Sequence, residues 1–225
     1  MPSQVFDQLV QLASHLSASN PAEGRPARHL LGITGAPGSG KSTLASQLAD
    51  ALNQLGKPTA LVPMDGFHLA DVQLERLGRR GRKGASDTFD AAGYLALLQR
   101  LRQDRSATIY APGFERDLEQ PLAAAIAVEP DADLIITEGN YLLCPGPPWP
   151  VINDLLDEVW FVQLPQTTRL ARLTARHIRF GKSREEAELW VRQVDQPNAA
   201  AIESWRGRAS RLIDLETLEL AGPSA

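Results

Sequence analysis

Gly35-Ala36-Pro37-Gly38-Ser39-Gly40-Lys41-Ser42 is the stretch that decides the fold. It fits G-x-x-x-x-G-K-[ST] at every fixed position, a pattern that works only between a strand and a helix. The flanks supply both. His29 to Thr34 is a short apolar run that reads as a strand. Lys41 to Leu55 reads as a helix, with Gly56 where a helix C-terminal glycine belongs. Glycines in such a turn let backbone N–H groups point inward with no Cβ in the way. The helix start adds its positive dipole end. Gly35 through Thr43 is therefore expected to cradle the β- and γ-phosphates of a nucleotide. Lys41 would set an ammonium against their oxygens, and Ser42 would offer a hydroxyl to Mg2+.

Working outward, strands and helices alternate. Thr59 to Met64 reads as a second strand with Pro63 at its end, since proline cannot donate to a ladder. Helices are expected over 71–78, Ala91 to Arg102, 166–180 and Ser183 to Val194. Brief or buried strands are expected at Thr108 to Tyr110, Leu134 to Thr137, Val159 to Leu164 and Leu212 to Leu215; 79–88 and 146–150 read as loops. This order predicts an α/β fold, a three-layer sandwich around a central, mainly parallel sheet. Upstream, Val5, Leu9, Val10, Leu12 and Leu16 predict an amphipathic helix over 3–18, broken by Asn20 to Pro26. The expected organisation is an N-terminal helix and linker over 1–27, then a P-loop domain over 28–225.

Two acids stand where chemistry would need them. Asp65 follows the second strand, and Glu138 ends the run Leu134-Ile135-Ile136-Thr137. Strand carboxyl ends in a parallel sheet gather at one edge, where ligands bind. Asp65 there could accept a proton from an attacking hydroxyl. Glu138 could orient Mg2+ or steady the reacting group. Asp133 opens the same run and so falls at the far end. Arg169, Arg172, Arg176 and Arg179 recur at helical spacing and predict one cationic face. Either Glu185, Glu186 and Glu188 of the next helix answer them on the surface, or the arginines form a lid over about 172–194 closing on ATP, with Arg172 and Arg176 on the transferring phosphoryl group. Arg76, Arg79, Arg80, Arg82 and Lys83 form a basic loop, either solvated or closing on substrate; His68 lies close by.

Gly35 to Thr43, Met64-Asp65-Gly66-Phe67-His68, Arg82-Lys83-Gly84, Thr88-Phe89-Asp90 and Thr137-Glu138-Gly139-Asn140-Tyr141-Leu142 occur in an order that resembles the uridine kinase, phosphoribulokinase and bacterial pantothenate kinase group of P-loop kinases. The likeness spans roughly residues 28–215. The Asp-Gly-Phe-His and Arg-Lys-Gly segments look most like pantothenate kinase; the length looks more like the uridine kinase-like proteins, including those labelled fructose-transport kinases. The resemblance implies ATP and Mg2+ on Lys41 and Ser42, Asp65 as base and Glu138 near the metal. It also implies acceptor contacts from His68, from Arg82, Lys83 and Phe89 in the 82–90 region, and from Tyr110, Phe114 and Arg116. Phe114-Glu115-Arg116 departs from the family's usual Pro-x-Tyr-Asp form, which counts against uridine and pantothenate alike and leaves the acceptor as a nucleoside, sugar or pantothenate-like alcohol. Related kinases often pair, so a homodimer is implied.

The bulk composition excludes other classes. The chain has 225 residues and a formal net charge of -4, so no overall basic field draws it to nucleic acid. No stretch is long and apolar enough to span a bilayer, and no charged-then-apolar leader opens the chain, so the cytoplasm is expected. The one cysteine, Cys144, permits no internal disulfide and no thiolate metal site. The alternative to a small-molecule kinase is a P-loop switch or metabolite sensor without phosphotransfer. A GTPase would want Asn-Lys-x-Asp, which is absent; Asp90-Ala91-Ala92-Gly93 matches only the short Asp-x-x-Gly pattern, at a helix start.

Overall fold

The computed structural model describes residues 3–16, 28–217 and 219–221. The last two positions of the expected first helix, the 17–27 linker and residues 222–225 lie outside them. In chain order the elements are α1 (Ser3–Leu16), β1 (His29–Thr34), α2 (Lys41–Gln54), β2 (Thr59–Leu61), α3 (Asp71–Arg76), α4 (Ala91–Gln103), β3 (Ile109–Glu115), β4 (Gln120–Val128), β5 (Leu134–Glu138), α5 (Trp149–Asp154), β6 (Glu158–Gln163), α6 (Gln166–Arg179), α7 (Arg184–Trp190), α8 (Gln196–Ser204), β7 (Arg211–Asp214) and β8 (Glu219–Ala221).

The main sheet runs β2-β5-β1-β6-β7-β8. Its first five strands are parallel, and β8 closes the edge antiparallel to β7. The chain leaves β1 towards β2 on one side and later crosses to β6 on the other. A crevice therefore opens at the carboxyl end of β1, where open α/β sheets bind ligands.

Strand periodicity explains the layers. Leu31, Ile33, Leu134, Ile136, Trp160, Val162 and Ile213 face one side and pack with Leu44, Leu48 and Leu52 of α2 and Leu9 and Ala13 of α1. Leu30, Ile135, Val159 and Phe161 face the other side, against Tyr94 and Leu98 of α4, Trp149 and Ile152 of α5 and Ile202 of α8. Successive residues point to opposite faces, and both faces are covered, so the strands read as continuous apolar runs. The result is helix, sheet, helix.

Several elements differ from the sequence expectation. The strand expected over Thr108 to Tyr110 is one arm of a long hairpin, β3–β4, that forms its own two-stranded sheet. β2 ends at Leu61, although Val62 N–H still donates to Ile136 O at 2.9 Å; Met64–Phe67 is a single 3-10 turn. The helix after Ser183 ends at Trp190, passes through a π-helical turn, Val191–Asp195, and continues as α8. Among the described residues no helix is long and apolar enough to cross a membrane.

Arg28 is a fully buried cation that periodicity could not reveal. Its Nε donates to Ala132 O at 3.0 Å, Nη1 to Leu101 O at 2.9 Å and Nη2 to Glu129 O at 3.0 Å. It thereby ties the end of α4 to the turn before β5. Arg28→Ala should leave these carbonyls without a donor and cost about 3 kcal/mol or more, lowering Tm by about 10 °C in a domain of this size. Thermal and urea unfolding check this; a loss below about 1 kcal/mol contradicts it.

Candidate active site

The phosphate loop starts where β1 stops. Gly40 caps α2 in a left-handed conformation (φ 96°), which glycine adopts without strain. α2 then presents its first N–H groups, which have no partner within the helix, towards the crevice. β5 lies beside β1 in parallel register, Ile33 opposite Glu138, and Gly139 N–H donates to Ile33 O at 3.1 Å. Glu138 therefore emerges next to the loop. Ser42 Oγ donates to Glu138 Oε1 at 3.0 Å, while Glu138 Oε2 is buried with no protein partner.

A cavity of about 390 Å³ opens over this point, lined on its phosphate side by Pro37, Lys41, Ser42, Asp65 and Arg176. Asp65 stands in the Met64–Phe67 turn. A Cβ added to Gly66 would lie 2.2 Å from Pro112 O, so only glycine lets the β3–β4 hairpin press this closely on the turn. The hairpin register slips between Ala111 and Gly113, a bulge of the kind that re-aims side chains. Phe114 and Arg116 beyond it line the cavity. Arg116 Nη2 meets Asp65 Oδ2 at 2.9 Å. His68 donates from Nδ1 to Asp65 O at 2.9 Å, and its ring lies 4.0 Å from that of Phe89 and 4.9 Å from that of Phe114.

The charges are interdependent. Desolvation lowers the Lys41 pKa, against the pull of Glu138 and Asp65. Burial raises Glu138, reinforced by the Asp65 charge and opposed by Lys41 and the Ser42 hydrogen bond. For Asp65, burial disfavours ionisation, but His68, Arg116, Lys41 and Arg176 together outweigh it and hold the carboxyl below its ordinary value. Burial also keeps His68 below its ordinary value.

The structure sorts the remaining sequence candidates. Lys83 lines the cavity, held by Asp71 at 2.7 Å and by the Glu119 carbonyl. Arg82 lies outside it, paired with Asp87 at 2.6 Å. Tyr110 is 61% exposed and away from the cavity, and Phe89 is buried behind His68 rather than lining it. Thr43 is exposed on the first turn of α2. The four arginines of α6 do not form one phosphate-facing row. Arg169 turns inward, with Nη1 on Pro37 O at 3.3 Å. Arg176 enters the cavity, exposed Arg172 comes beside Gly40, and Arg179 lies over Phe180. The far wall was only partly legible: His177, Phe180, Lys182, Trp190, Asp195 and Asn198 gather there, and His177 Nε2 meets Asp195 Oδ2 at 2.7 Å. Asn140, two residues past Glu138, also lines the cavity, with its Oδ1 buried and unpartnered. Asp90 is the N-cap of α4, accepting from Gly93 N–H at 2.9 Å, so its Asp-x-x-Gly pattern is a helix start. A larger hollow of about 560 Å³ beside β2 is lined by Asn53, Pro58 and Glu129 and contains none of the candidate site residues.

Comparison with known proteins places this arrangement. The fold is that of P-loop kinases. The chain is 33% identical over 191 residues to C227.14 of Schizosaccharomyces pombe, described as a candidate uridine kinase; the match covers 82% of this chain and 77% of that one. The crystal structure of a candidate fructose transport system kinase from Silicibacter sp. TM1040 superposes with a TM-score of 0.79 at 36% identity, covering 89% of this chain and 95% of that one. D-glycerate 3-kinase from Cryptococcus neoformans shares the fold, with a TM-score of 0.70 at 17% identity and 99% coverage of both chains. The family model for the methylmalonyl Co-A mutase-associated GTPase MeaB matches residues 7–68 alone, the part that holds the phosphate loop. The chain belongs to the uridine kinase-like family of P-loop kinases.

The raised Glu138 has a consequence for stability. A carboxyl that holds its proton more tightly folded than unfolded stabilises the fold below its ordinary value, and that contribution is lost as pH rises through the raised one. Glu138→Gln removes the titration. In nucleotide-free thermal melts between about pH 4 and about pH 8, the variant should gain on the wild type as pH rises; a difference independent of pH contradicts this.

Proposed function

We propose that the chain transfers the γ-phosphate of ATP to a hydroxyl of a small metabolite, with Asp65 as the base. The observation that carries this reading is the sharing of one cavity wall by Lys41, Ser42 and Asp65, with Glu138 held against it by the Ser42 hydroxyl. A pure nucleotide switch has no need of a carboxylate facing the phosphate site from the acceptor side.

Lys41 and the N–H groups of the 35–42 loop hold the β- and γ-phosphates, and the anionic oxygens restore to Lys41 the favourable partner that desolvation denies it. Ser42 and Glu138 would hold Mg2+. The fit rests on the hydroxyl–carboxylate contact and on the buried, unpartnered Oε2, and Mg2+ usually takes only one or two protein carboxylates beside phosphate and water. When bound, it supplies charge neutralisation on the phosphate oxygens. Arg176, with Arg172 behind it, stabilises charge on the transferring group as the lid over about 172–194 closes and excludes water. The acceptor hydroxyl reaches the cavity between His68, Phe114 and Asn140. Its oxygen bonds to the γ-phosphorus as the bond to the β–γ bridging oxygen breaks; ADP leaves, and the proton passes to Asp65. The reading assigns the reaction to the cytoplasm, where ATP is available.

Asp65→Asn should reduce acceptor-dependent ADP release by about 1,000-fold while keeping ATP affinity within about threefold. Arg176→Ala should likewise lower transfer far more than ATP binding. Coupled ADP assays across a metabolite panel, with ATP titrations, check both. Transfer retained in Asp65→Asn contradicts its role as base, and equal losses in Arg176→Ala contradict the lid.

A further inference from the structure

The acceptor side of the cavity carries an ion pair that phosphotransfer alone does not explain. Arg116 Nη2 donates to Asp65 Oδ2 at 2.9 Å, so the group assigned as base is already held by a cation. A guanidinium on a carboxylate oxygen stabilises the ionised form and lowers its appetite for a proton. Taken alone, this contact weakens the base.

The pair is also open. Arg116 has 42% of its side-chain surface exposed, and it lines the cavity. A guanidinium carries five N–H donors in a planar fork suited to carboxylate and phosphate. Among the described residues, Nη2 alone of the Arg116 nitrogens has a hydrogen-bond partner in the protein. A second cation meets the same aromatic ring: Lys83 Nζ and Arg116 Cζ lie 5.6 Å and 5.5 Å from the centroid of Phe114. Asp71 and the Glu119 carbonyl fix Lys83 in place. The cavity thus holds one anchored cation, Lys83, and one cation with donors to spare, Arg116 beside Asp65.

We propose that Arg116, with Lys83 lining the same cavity, binds an oxyanion carried by the acceptor, a carboxylate or phosphate on the alcohol, and that this anion draws the guanidinium off Asp65. The inference rests on the kinase reading above and narrows its substrate to anionic alcohols. Such an acceptor brings its hydroxyl to the γ-phosphate and frees Asp65 in the same event. The hydroxyl oxygen then bonds to phosphorus, the bond to the bridging oxygen breaks, ADP departs and Asp65 takes the proton. A neutral alcohol offers Arg116 nothing, leaves the pair intact and meets a weakened base. Water fares no better, so the pair restrains wasteful hydrolysis of ATP to ADP and inorganic phosphate.

Acceptors matched except for charge test this: glycerate against glycerol for a carboxylate, and fructose 6-phosphate against fructose and uridine 5′-monophosphate against uridine for a phosphate. With ATP and Mg2+, a charged member should exceed its neutral partner by about 100-fold in kcat/KM, and Arg116→Ala should bring that ratio within about threefold. Neutral acceptors preferred, or the preference kept in Arg116→Ala, overturns the proposal. A second readout needs no acceptor. Arg116→Ala should raise ATP hydrolysis about tenfold over wild type, and adding Asp65→Asn should abolish the rise; an unchanged or lower rate overturns the proposal. The underlying reading fails differently: wild type would then bind ATP no better than Lys41→Ala.

Discussion

A lysine ammonium withdrawn from water destabilises a fold unless anions accompany it. Lys41, partly buried at the start of α2, is in that position, and the nearby charges of Glu138 and Asp65 favour its ammonium. Both arrive by the geometry of the sheet. β5 lies directly against β1, so Glu138 reaches the loop by register. The chain leaving β2 beside β5 brings the Asp65 turn to the same edge. Little side-chain ingenuity is needed, because parallel strands deliver their carboxyl ends to one place.

The compensation is incomplete, and the shortfall is what makes the site receptive. Glu138 keeps a buried oxygen without a partner, and Lys41 remains depressed by desolvation. A triphosphate with its metal would answer both deficits at once. Arg116 and Arg176 extend the same logic outward. Each is a cation whose charge favours the ionised Asp65 carboxylate.

The fold was legible because its signals are local. The 35–42 loop announces a strand before it and a helix after it, and the run Leu134 to Thr137 can only be a strand buried on both faces. Three features escaped for physical reasons. β4 carries Ala123, Ala124, Ala125 and Ala127, residues with weak strand preference, and β3 contains Pro112 and Gly113, which read as breakers. Pro197 and its polar neighbours resemble a turn, yet Pro197 sits just past the π-helical turn Val191–Asp195 in a helix that runs on through it. Arginine spacing on α6 gave the face but not the tilt, so Arg169, spent on the Pro37 carbonyl, was grouped with Arg176, which enters the cavity. In the site, residues near the phosphate loop could be named in advance. The Arg116–Asp65 contact could not, because 51 residues separate the two and only the bulged hairpin joins them.

The most direct test of the central claim is a crystal structure with a non-hydrolysable ATP analogue and Mg2+. The account predicts Lys41 on the β- and γ-phosphate oxygens, Ser42 and Glu138 at the metal, and the Asp65 carboxylate facing the γ-phosphorus from the side opposite the bridging oxygen. A nucleotide bound away from the 35–42 loop, or a γ-phosphate turned from Asp65 with that carboxylate pointing out of the cavity, would contradict it.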